Sequence, residues 1–113
     1  MLGKFLELSV NAQPIGESFQ FYRSLGYADV PTGDIHQHGY AVVFDGGFCV
    51  GLHELEADEP RLTFARPDLK NYWHALRRLR LDFEFAKLGD DEFHEVGFRD
   101  PDGHLLVLIE ART

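Results

Sequence analysis

The chain is written twice. Shifted by 54 residues, the stretch from the first apolar run through the first helical one aligns on itself without a gap: Leu8 meets Leu62, Val10 meets Phe64, Ile15 meets Leu69, Phe19 meets Trp73, Tyr22 meets Leu76 and Leu25 meets Leu79. Apolar meets apolar at each of these pairs. A repeat of this size is a supersecondary unit that hides one sheet face under a helix, and two such units build a single domain. With 113 residues the chain is long enough to bury a core without disulfide or metal staples.

Within each half the periodicities follow the same order. Phe5–Val10 alternates as a strand does, with Leu6, Leu8 and Val10 on one side and Phe5, Glu7 and Ser9 on the other. Pro14 suits a helix start, Ile15, Phe19, Tyr22 and Leu25 recur at helical spacing, and Gly26 is a stop. "YADV", "GYAVVF" and "FCVGLHEL" then read as strands, the last two joined by Asp45-Gly46-Gly47, which suits a tight hairpin. The second half repeats this with "RLTFA", a helix opened by Pro67-Asp68 and carrying Leu69, Tyr72, Trp73, Leu76 and Leu79, and the strands "LDFEFAKL", "FHEVGF" and "HLLVLIEA".

The predicted fold is therefore α+β: two tandem βαβββ modules, about residues 1–56 and 57–113, forming curved mixed sheets around a cleft with the helices outside. A ferredoxin-like arrangement has fewer strands after each helix and fits less well. "RDPDG" at 99–103 reads as a turn, with Pro101 presetting one angle, Asp100 capping, and Gly103 taking the left-handed conformation. Arg77, Arg78 and Arg80 crowd the predicted last turn of the second helix, where the helix dipole favours cations.

Charge and composition narrow the function. A formal net charge of −8 repels phosphate backbones and anionic membranes, so nucleic acid and membrane surfaces are not expected partners, whereas a cationic small molecule would be attracted. No run approaches the roughly 20 apolar residues of a membrane span, and Lys4 and Glu7 interrupt the first apolar run, so no signal peptide is read and a cytoplasmic location is expected. The single Cys49 has no cationic neighbour in sequence to lower its pKa and reads as a small hydrophobe.

Two passages, "ESFQFYRSLGY" and "GFRDPDGHLLVLIEA", together with the doubled βαβββ order, make the chain resemble the vicinal oxygen chelate superfamily of glyoxalase I, extradiol dioxygenases, fosfomycin-resistance enzymes and bleomycin-resistance proteins. The resemblance implies one metal ligand on the first and one on the last strand of each half. Those positions fall on Glu7, on Gly51 or His53 depending on register, on Arg61 and on Val107. Valine offers no lone pair, glycine no side chain, and a guanidinium is a permanent cation without an acceptor. At best Glu7 and His53 remain, and two ligands make a poor centre for a divalent ion. No metal and no other cofactor is expected.

What the resemblance then implies is a small-molecule binding protein of the metal-free bleomycin-resistance type, a homodimer as many relatives are, with an apolar or aromatic ligand, neutral or cationic, held for sequestration. Its expected binding set is Phe5, Glu7, Ser9, Cys49, His53, Arg61, Thr63, Leu105, Val107 and Ile109. Glu7 and Arg61 sit at pseudo-symmetric positions, as a salt bridge or as opposite charges offered to a ligand. A lyase, isomerase or dioxygenase of glyoxalase type, with Glu7 as ligand or base, is the alternative, and a partner-binding module using a sheet edge is a third. His36 and His38 read as a solvated loop pair, His94 and His104 as flanking the last strands, and the helical aromatics Phe19, Tyr22, Tyr72 and Trp73 as packing.

Overall fold

The structure, a computed structural model, describes residues 2–31, 39–54 and 59–111. In chain order its elements are β1 (Lys4–Asn11), α1 (Ile15–Ser24), β2 (Ala28–Val30), β3 (Tyr40–Phe44), β4 (Cys49–His53), β5 (Arg61–Arg66), α2 (Leu69–Arg77), β6 (Asp82–Lys87), β7 (Glu95–Arg99) and β8 (Leu105–Glu110). This is the doubled βαβββ order, and the class is α+β with mixed pairing. No helix among the described residues is long and apolar enough to cross a membrane. The chain divides into two compact units, residues 7–60 and residues 1–6 with 61–113, so that β1 contributes to both.

In the unit of residues 7–60 the strands run in the order β2-β3-β4-β1. β1 lies parallel to β4, with Leu8 opposite Val50 and Val10 opposite Leu52, and β3 is antiparallel to β4. Because side chains alternate along a strand, Ala41, Val43, Val50 and Leu52 share one face, and α1 covers it. Ile15, fully buried, anchors the helix there, with Val10, Phe19, Tyr22 and Tyr27 packed around. The first turn of α1 takes support from beyond its own segment: Ile15 N donates to Glu54 Oε1 at 3.3 Å. Tyr40, Val42, Cys49, Gly51, His53, Glu7 and Ser9 are left on the opposite face.

In the other unit the order is β5-β8-β7-β6, with β5 parallel to β8. Leu69 and Leu76 of α2, both fully buried, pack on Val96, Phe98 and Leu108. The paired register Arg61↔Leu105, Thr63↔Val107 and Ala65↔Ile109 puts these six side chains on the face away from α2. The Asp100–His104 turn closes as expected: Asp100 Oδ1 accepts from Asp102 N at 3.0 Å and His104 N at 2.8 Å, and Gly103 has φ 90°.

Two sequence expectations need correction. Leu25 and Leu79, the last members of both apolar stripes, are 61% and 59% exposed, because each lies beyond the last turn of its helix. Arg80 is likewise outside α2, at φ 54°, so the helix dipole does not act on it as on Arg77. A register shift in β6 sets Phe83 opposite Phe98 and Phe85 opposite Gly97. A bulge of this kind adds one residue to a strand and so exchanges its faces. His36 and His38 lie outside the described residues.

Candidate functional site

The helix-free face of the unit containing residues 7–60 carries a closed polar network around Glu7. Strand alternation brings Glu7 and Ser9 of β1, Tyr40 of β3 and His53 of β4 to this face, and the parallel register of β1 on β4 places Ser9 beside Gly51. Glu7 is only 6% exposed. Its Oε2 accepts from Ser9 Oγ at 2.8 Å and from His53 Nε2 at 2.9 Å, and its Oε1 accepts from Tyr40 Oη at 2.7 Å. The Tyr40 and His53 rings lean on each other, with centroids 4.6 Å apart at 42°.

Gly51 is what allows this arrangement. A Cβ at that position would overlap the Glu7 carboxylate, so the glycine clears the volume in which the carboxylate sits. The two registers weighed from sequence are thereby resolved: Gly51 and His53 share the face, the first giving space and the second a donor.

Electrostatics follow from the contacts. Burial pushes the Glu7 carboxyl up, but the hydrogen bonds from His53, Tyr40 and Ser9 outweigh it and hold the group below its ordinary value. Tyr40 moves the other way. Burial comes first, then its bond to the Glu7 carboxylate and that negative charge, and together they raise the phenol far above its usual range. Tyr40 therefore stays a donor and Glu7 an acceptor.

The other sequence-derived candidates occupy different settings. Cys49, half-buried, shares the face of Gly51 and His53. In the second unit Thr63, Leu105 and Val107 are buried and Arg61 and Ile109 half-buried, on the face away from α2, which is mainly apolar and carries the Phe85 ring over Gly97. Phe5 meets Phe64 edge-on, centroids 5.4 Å apart, and with Leu2, Gly3 and Lys4 lines an apolar depression of about 620 Å3. Glu7 bonds His53 of its own unit. His94 is enclosed between Gly89 O, 2.8 Å from Nε2, and Glu110 Oε2, 3.1 Å from Nδ1. Exposed His104 bonds Asp100 Oδ2 at 2.8 Å. Tyr40 is the member sequence reasoning missed; its place on the face follows once β3 and β4 are paired, since it stands opposite His53.

The metal that the resemblance implies does not fit these residues. The positions that would hold it offer Glu7 and His53 as donors, and those two bond directly to each other. Gly51 supplies room for the carboxylate and no ligand, Val107 has no lone pair, and Arg61 is cationic. Among the described residues, the group of three acids and histidines whose ligand atoms lie within 4.8 Å of one another is Asp100, Asp102 and His104. It belongs to the exposed turn, where Asp100 is already engaged by His104 and Asp102.

No family model matches the chain, and no curated protein matches it. Solved structures do. A hypothetical protein from Bacillus halodurans C-125 superposes over 97% of this chain and 95% of its own, with TM-score 0.69 and 13% identity. Methylmalonyl-CoA epimerase from Mycobacterium tuberculosis covers 97% and 89%, with TM-score 0.64 and 16% identity. A glyoxalase/bleomycin resistance protein/dioxygenase superfamily member from Vibrio splendidus 12B01 covers 93% and 97%, with TM-score 0.58 and 16% identity. At such identities the likeness concerns architecture, and with the doubled strand order it establishes that this chain has the vicinal oxygen chelate fold.

Proposed function

We propose that this chain binds a small apolar or aromatic molecule, without a metal ion, on the helix-free face that carries Glu7. The observation behind this reading is the Glu7 carboxylate itself, with three internal donors around it. A carboxylate accepts about four hydrogen bonds, so little capacity is left for an ion, and replacing those donors would break the network. The face still has the make-up of a small-molecule site, with a few fixed polar groups beside Val42, Phe44 and Cys49. The net charge of −8 favours a neutral or cationic ligand over an anion. Sequestration, as in the bleomycin-resistance type, is the role this reading carries.

The glyoxalase-type alternative asks Glu7 to bind a metal or take a proton itself. A carboxyl held below its ordinary value by three donors is a weak base, which disfavours that role.

The test is ligand-observed NMR with a panel of neutral and cationic aromatic fragments in the presence of a chelator, on the wild type and on Val42→Trp, which fills the face. Binding that survives the chelator and is lost in Val42→Trp is expected. Binding that needs added metal, or that ignores the tryptophan, overturns the reading.

A further inference from the structure

We propose that Glu7 and His53 form a carboxylate–imidazole pair that presents His53 Nδ1 as proton acceptor to a bound weak acid of the phenol class. This rests on the binding face proposed above. Glu7 as an ionised carboxylate can only accept, so the ring nitrogen 2.9 Å from it, Nε2, must carry a hydrogen. In neutral imidazole the other nitrogen then holds the lone pair. Nδ1 of His53 has no hydrogen-bond partner among the described residues and is not shut away as a buried unpartnered atom. The side chain keeps 26% of its surface open.

The rest of the network fixes this state. Ser9 and Tyr40 hold the carboxylate from its other sides, so it does not rotate away from His53, and the tilted Tyr40 ring limits rotation of the imidazole. The titratable groups sharing the face are Glu7 from β1, Tyr40 from β3 and Cys49 from β4, and Asn11, which pairs with His53, is neutral. The ligand class follows from what is missing. Nδ1 calls for a donor, Val42, Phe44 and Cys49 share its face and offer apolar surface suited to an aromatic ring, and the acidic chain disfavours a preformed anion. In the transfer the phenol O–H bond breaks, an N–H bond forms at Nδ1, and the electron pair stays on the phenolate oxygen. The imidazolium so formed keeps its Nε2–H bond to Glu7, and the phenolate lies against the new cation.

4-Nitrophenol is the probe, since its phenolate absorbs in the visible and its phenol does not. Binding is followed by ligand-observed NMR and ionisation by absorbance. In the wild type the bound probe is expected to ionise about tenfold more readily than in buffer, the equivalent of one pKa unit, and in His53→Gln this gain is lost. Long-range proton–nitrogen spectra of the wild type, which need no variant, are expected to show the Nε2–H tautomer at His53. A probe that binds but stays as protonated as in buffer, or a proton on Nδ1, overturns the pair and leaves the binding face standing. If 4-nitrophenol does not bind, the phenol assignment falls, and the fragment panel decides the binding face separately.

Discussion

Gly51 lies under the Glu7 carboxylate, and no side chain other than hydrogen leaves room for it. A methyl group there forces Glu7 out of reach of Ser9, Tyr40 and His53 while the surrounding strands stay in place. Gly51→Ala is expected to destabilise by about 2–4 kcal/mol, the scale of a buried charge losing its partners. Urea unfolding reads this as a lower midpoint at unchanged slope. A loss below about half a kcal/mol, the range of ordinary surface substitutions, contradicts the packing described.

Tyr40→Phe removes one donor and leaves Glu7 Oε1 without it. A hydrogen bond to a charged group contributes about 1.5–3 kcal/mol, and this is the loss expected in the same unfolding experiment. Tyr40→Phe should also bring the Glu7 carboxyl back toward its ordinary value, which carboxyl carbon NMR follows directly.

The Glu7 carboxyl is held below the ordinary 4.5 in the folded protein. Its folded state therefore binds fewer protons than its unfolded state, and the stability it contributes is present above the ordinary value and is lost as pH falls through the folded one. Thermal midpoints of the wild type should fall as pH drops from 4.5 through the folded value, and Gly51→Ala, with the network already broken, should fall less steeply. Parallel acid limbs in the two proteins count against the network.

His94 has the opposite sign. Gly89 O bonding its ring, and then Glu110, raise it above the ordinary 6.5 despite partial burial. The folded state holds the proton more tightly, so this stabilisation is full below 6.5 and disappears as pH rises through the folded value. The difference in midpoint between wild type and His94→Gln should shrink as pH rises from 6.5 through the folded value. A difference that grows with pH contradicts the assignment.

Much of this architecture is legible in the sequence. Ile15 and Leu69 are equivalent in the repeat and are both fully buried at the first residue of their helices, and the alternation of β1 puts Glu7 and Ser9 together. What period-2 and period-3.6 patterns cannot carry is register across strands. Tyr40 joins Glu7 only because β3 pairs with β4 so that it faces His53, over a separation of 33 residues from Glu7. The β6 register shift is hidden for a similar reason, since it exists only in the pairing of β6 with β7. Leu25 and Leu79 extend apolar stripes that the helices do not follow, because the chain turns at Gly26 and Arg80.

Elemental analysis tests the central claim most directly. Protein purified without chelators, mixed with Mn(II), Fe(II), Ni(II) and Zn(II) and then desalted, is expected to retain less than about one-tenth of an ion per chain, because two donors already bonded to each other make no closed site. One ion per chain, lost in both Glu7→Gln and His53→Gln, would contradict the account.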